Sequence, residues 1–161
     1  MTRSSLFLSL ILIACNSGDD AGEGKDSNFG STMPGCTEMG CVDGFTGEFS
    51  PAFTTHGAYV FTLDLDGVTS SCTGSLPLND DFSCDGDLGV SLSGSALPED
   101  EHSLPGFYVS RYDFAQLQLT VERDGVEEAS WSVSPEWSTY HPNGPDCGPT
   151  CTSAGADLSW P

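Results

Sequence analysis

The sequence predicts an all-β protein, an antiparallel β-sandwich, on three observations. Seven or eight short runs alternate apolar and polar residues, with turn signals every eight to twelve residues. Two Asp-Gly pairs, Asp66-Gly67 and Asp124-Gly125, sit between such runs. No stretch carries a convincing apolar period of 3.6 residues.

Taken in order, Val42 to Phe49 is interrupted by glycine and reads as a weak edge strand. Ala58 to Leu65 is clearer. Tyr59, Phe61, Leu63 and Leu65 point one way and Val60, Thr62 and Asp64 the other, the period of a half-buried strand. Asp66-Gly67 predicts a type I′ hairpin, because both central residues of that turn need positive φ. Val68 to Thr73 returns with Val68, Ser70 and Cys72 on one face. Leu76 to Asp81 reads as a turn and Phe82 to Cys84 as a brief pairing. Leu88, Val90 and Leu92 alternate with Gly89, Ser91 and Ser93, which gives another strand.

Ser95 to Pro105, with two prolines and three acids, reads as loop. Phe107 to Tyr112 is a candidate strand. Gln116 to Arg123 is a good one, with Leu117, Leu119 and Val121 inward. Asp124-Gly125 turns it into Val126 to Ser134, where Ala129, Trp131 and Val133 point inward and Pro135 ends the run. Trp137 to Thr152 reads as an irregular loop, and Ala156 to Trp160 as a short final strand carrying Leu158. The arrangement expected is immunoglobulin/fibronectin-like or transthyretin-like, with a small barrel as the alternative.

Ahead of this domain lies an export segment. Arg3 supplies a positive start, and Leu6 to Ala14 is an apolar run broken only by Ser9. It is too short to span a bilayer, which takes about 20 residues, and has the length of a secretory signal core. It ends in Leu12-Ile13-Ala14-Cys15, which resembles the lipobox of bacterial lipoproteins. The resemblance implies cleavage after Ala14 and diacylglycerol on the Cys15 sulfur, with a further acyl chain such as palmitate on the new amine. Two or three chains anchor a protein where one is marginal. Asn16, rather than Asp, follows the cysteine, which by the same resemblance points to the outer membrane.

The chain thus divides into a signal peptide (1–14), a lipidated Cys15 with a flexible acidic tether (15–35) and a domain (36–161). The tether is rich in Gly, Ser, Asp and Asn and cannot bury enough apolar surface to offset its ordering entropy. Some twenty such residues reach roughly 25 Å.

Once Arg3 leaves with the signal, three cations (Lys25, Arg111 and Arg123) face 24 acidic residues, a formal charge of −21. That balance argues against nucleic acid and anionic lipid as charge-driven partners. The membrane partner is the lipid anchor, and any further partner is a protein or glycan.

Setting Cys15 aside leaves six cysteines, Cys36, Cys41, Cys72, Cys84, Cys147 and Cys151. An even count in an exported chain implies up to three disulfides, with fifteen pairings open. Cys72 pairs with Cys84 on the expectation that their strands are neighbours. Cys36/Cys41 and Cys147/Cys151 either close locally or cross-link to each other. A zinc site is disfavoured by their spacings. The loop Pro142 to Cys151, together with Cys36, Cys41, Cys72, Cys84 and the Asp-Gly hairpin, resembles small disulfide-containing lipoproteins of myxobacteria. That resemblance implies a β-sandwich lipoprotein without an assigned activity and carries over no catalytic residue.

Enzyme chemistry is not signalled. His56, His102 and His141 sit in loop-like sequence, outside any His-Glu-x-x-His motif, and are expected to be solvated. There is no Gly-x-Ser-x-Gly elbow. The sharper candidate is calcium at Asp80, Asp81, Asp85 and Asp87, four carboxylates around Cys84. The spacing does not match an EF-hand loop. Trp137, Tyr140 and Trp160 are the second candidate, as a glycan or peptide platform or as caps on the core. The functional expectation is a non-enzymatic, lipid-anchored envelope module for binding or structure. The alternative is a calcium-dependent adhesin or an accessory subunit of an envelope complex.

Overall fold

The computed structural model describes residues 36–80 and 82–160. The signal segment, Cys15, the tether and Asp81 lie outside the described residues.

Among the described residues, ten strands form two open five-stranded sheets. In chain order they are β1 (Gly44–Phe53), β2 (Gly57–Leu65), β3 (Val68–Leu76), β4 (Ser83–Cys84), β5 (Leu88–Ser93), β6 (Ser103–Val109), β7 (Leu117–Arg123), β8 (Val126–Val133), β9 (Ser138–Tyr140) and β10 (Cys151–Ser159). A front sheet has the order β5-β6-β1-β10-β9 and a back sheet the order β4-β3-β2-β7-β8. The fold is the expected sandwich and not a closed barrel. The antiparallel expectation needs one correction, because β1 and β10 run parallel.

The inner faces follow the alternation read from the sequence. Tyr59, Phe61, Leu63 and Leu65 of β2 and Leu117, Leu119 and Val121 of β7 are buried, facing Phe45, Phe49, Phe107 and Leu158 of the front sheet. Phe49 packs its ring against Phe53 at 4.8 Å and Trp131 at 5.6 Å. Such aromatic pairs add about 0.5–1.5 kcal/mol each beyond area burial. Both Asp-Gly hairpins form. Asp66 and Gly67 have φ 51° and 88°, and Asp124 and Gly125 have φ 53° and 77°.

Other expectations change. β1 is not an edge strand but the centre of the front sheet. Its glycine permits close packing, because a Cβ on Gly47 would sit 2.1 Å from the Phe107 ring. Val68 and Leu92, on the faces read for them, are nonetheless exposed: Val68 opens the strand after its turn, and Leu92 lies in a register shift between Ser91 and Ser93. β6 begins inside the expected loop. Pro105 fits there because the register shifts against both neighbouring strands around it, so no ladder bond is required of its nitrogen. β9 and the first two residues of β10, Cys151 and Thr152, also form within the expected terminal loop.

The parallel pair has a covalent origin. Cys36 bonds Cys147 and Cys41 bonds Cys151, so the two pairs cross-link instead of closing locally. β1 and β10 both leave this clasp and therefore run the same way, in uninterrupted register from Gly44↔Ser153 to Ser50↔Ser159. Asn143 reinforces the clasp. Its Oδ1 accepts from Met39 N–H at 2.8 Å and its Nδ2 donates to Met39 C=O at 2.9 Å. Asp43 Oδ1 accepts from Thr152 N–H at 2.6 Å. The third bond joins Cys72 and Cys84, register partners on β3 and β4, as expected.

Candidate functional site

Two acidic residues of the calcium candidate, Asp85 and Asp87, have separate structural tasks. Asp85 follows β4, and its carboxylate accepts from both the backbone N–H and the hydroxyl of Ser71 on β3. Asp87 accepts from the Ser110 hydroxyl at 3.4 Å. Asp80 is exposed beside Leu78 and Leu92. Among the described residues, these carboxylates do not form a group of three ligand atoms within 4.8 Å of one another. The group that does is Cys41, Asp43 and Cys151, whose sulfurs are joined in the clasp and whose carboxylate caps Thr152.

The histidines also separate. His56 and His141 are exposed, whereas His102 is buried, contrary to the solvated expectation. Its Nδ1 accepts from Leu78 N–H at 2.9 Å, so Nε2 carries the proton and donates to Leu97 C=O at 3.0 Å. It ties two loops together. The reason is elementary: the turn after β3 and the loop before β6 leave one partly buried donor and one partly buried acceptor, and a neutral imidazole supplies the complement of each.

Of the aromatic candidates, Trp137 and Trp160 cap the core. Trp137 Nε1–H donates to Phe114 C=O at 3.0 Å and its ring meets Phe114 edge-on at 5.0 Å. Trp160 Nε1–H donates to Pro51 C=O at 2.8 Å and its ring packs on Phe53 at 4.4 Å. Only Tyr140 of the three is exposed, on β9 at the outer surface of the front sheet.

That outer surface carries the site the sequence did not signal. Three concavities of about 320, 360 and 310 Å³ share Thr46 at their centre. Together they make a shallow trough running across β6, β1 and β10. Tyr108 and Tyr140 both line the one of about 360 Å³. Tyr108 is 52% exposed, and its ring lies flat over its register partner Gly89, where a Cβ would come within 2.1 Å of it. The floor is small and hydroxylated, with Thr46 paired to Gly155 and Gly44 to Ser153. At one end Glu48 and Asp157, register partners on β1 and β10, stand side by side and exposed.

These two are the only charged residues in the five strands of the front sheet. Neither carboxylate has a hydrogen bond or ion pair among the described residues. By contrast Asp64, Asp66 and Asp124 accept from backbone N–H groups. Arg123 is on the back sheet, bonded to Glu128. Like charges directly opposite one another weaken a sheet, so this pair is a cost without an internal offset. The available signal was the run of glycines within strands, which marks close approach or a clear surface.

Comparison of the chain with protein families, with curated proteins and with solved structures finds no match. Among the described residues, no helix is long and apolar enough to cross a membrane.

Proposed function

We propose that the protein is a lipid-anchored envelope module that works by binding, without catalysis, through the outer face of the front sheet. The observation that carries this reading is the trough centred on Thr46, an open surface with exposed tyrosines, a hydroxylated floor and an unneutralised carboxylate pair. Its chemistry suits recognition. It offers flat aromatic area at low ordering entropy and fixed polar groups, but no paired nucleophile and base. Anchoring follows from the Cys15 motif, and the acidic tether sets the domain off the membrane. The clasp lies at Cys36, where the tether joins the domain, and the trough is carried by the strands leading away from it.

The test has two parts. Mass spectrometry of the mature chain reads an acylated Cys15, abolished by Cys15→Ser. The unlipidated Cys15→Ser chain, fluorescently labelled, is then titrated against purified envelope. Saturable binding that falls at least tenfold in Thr46→Arg, which fills the trough, and persists in Asp80→Ala supports the reading. Binding indifferent to Thr46→Arg, or no saturable binding, refutes it.

A further inference from the structure

The front sheet ends in an unfinished edge. β9 covers β10 only from Cys151 to Ser153, while β10 continues to Ser159. Ser153 C=O accepts from the Ser138 hydroxyl and Ser159 C=O accepts from Trp131 Nε1–H at 2.8 Å, so both face away from β1. Residues two apart in a strand aim their backbone groups to the same side. Gly155 and Asp157 therefore turn their N–H and C=O outward, in a slot closed at one end by Ser138 and at the other by Trp131. From Ser153 to Ser159 the slot spans roughly 20 Å.

Native proteins blunt exposed edges with bulges, short strands and charges. The other edges show such devices. β5 has a register shift, β4 is two residues long and held by Cys72–Cys84, and β8 carries Glu127 and Glu128. β10 is long, unbulged against β1 and built from Ala154, Gly155 and Ala156 before Asp157.

We propose that the edge of β10 at Gly155–Asp157 accepts a short extended segment of a partner protein by antiparallel strand addition, continuing the line of β9, with a Lys or Arg of that segment reaching Glu48 and Asp157. Backbone bonds supply the pairing, and the concavity lined by Thr46, Glu48, Gly155 and Asp157 receives the cationic side chain. Gly155 leaves the path across β10 clear. Charge selects the occupant. A second copy of this chain would bring two further carboxylates to strands that hold no cation. A basic segment neutralises the Glu48–Asp157 pair.

The proposal names the partner chemistry of the face described above and rests on that binding reading. The test is a nitrogen-15 NMR titration of the Cys15→Ser chain at low salt with acetyl-Thr-Lys-Thr-Lys-Thr-amide and with its glutamate counterpart. The lysine peptide is expected to shift the Gly155 and Asp157 amides, to slow their hydrogen exchange and to bind at least tenfold tighter than the glutamate peptide. Glu48→Gln with Asp157→Asn is expected to reduce that preference to less than twofold, and a proline at the centre of the lysine peptide to abolish the shifts. Equal effects of the two peptides, shifts confined to other amides, or no shift at Gly155 and Asp157 overturn strand addition. If any of these occurs while envelope binding stays sensitive to Thr46→Arg, the proposal falls and the binding face stands.

Discussion

Removing the clasp disulfides singly and together has a non-additive outcome that the connectivity sets. Cys36–Cys147 and Cys41–Cys151 span sequence separations of 111 and 110 residues. In the chain-entropy account, one cross-link over a loop of that length stabilises by about 4.8 kcal/mol. With one bond in place, the other closes only the ring formed by Cys36–Cys41 and Cys147–Cys151, about 11 residues, which stabilises by about 2.8 kcal/mol. Either single removal is therefore expected to cost about 2.8 kcal/mol, and the double removal about 7.6 kcal/mol. The variants are Cys36→Ala with Cys147→Ala, Cys41→Ala with Cys151→Ala, and all four. Alanine is chosen because Cys147 and Cys151 are buried and a serine hydroxyl there would need a partner. The assay is urea unfolding of the Cys15→Ser chain with Cys72–Cys84 intact, followed by tryptophan fluorescence. Single losses of nearly 5 kcal/mol that add in the double variant would refute the nested-loop reasoning. A double variant no less stable than the singles would refute the clasp's role altogether.

Three further outcomes follow from single side chains. Tyr59 is buried, its hydroxyl donates to Thr55 C=O at 2.7 Å, and burial pushes its pKa up from 10.0 to about 12. Burial disfavours the phenolate, so the stabilisation is full below pH 10 and is lost as pH rises toward 12. Alkaline unfolding should therefore shift less in Tyr59→Phe than in the parent, which should itself exceed the variant by about 1 kcal/mol at neutral pH. His102→Leu leaves Leu78 N–H and Leu97 C=O without their partner and is expected to cost about 2–5 kcal/mol by urea unfolding, against little change for the exposed His56→Leu. With Asp85 bonded to Ser71 and Asp87 to Ser110, calcium against chelator is expected to move the melting temperature by less than about a degree. A larger rise, lost in Asp85→Asn with Asp87→Asn, would establish a calcium site.

The sequence by itself determined what depends on neighbours along the chain. Period-two alternation defined β2, β7 and β8, because a side chain's face is set by its own strand. Asp66-Gly67 and Asp124-Gly125 announced their hairpins through a local need for positive φ. The even cysteine count announced disulfides, and adjacency of β3 and β4 gave Cys72–Cys84. Tertiary structure decided what depends on residues a hundred positions apart. The glycine-broken β1 is central because Phe107 needs the space above Gly47, and Thr-Ser-Ala-Gly-Ala of β10 is a strand because β1 offers it a ladder. Small residues have no alternation to read, so their pairing is legible only once the clasp has set both strands running from one end. The same holds for the candidate site. Tyr108, Thr46, Glu48 and Asp157 come from three separate strands, and only the register of the front sheet makes them one surface.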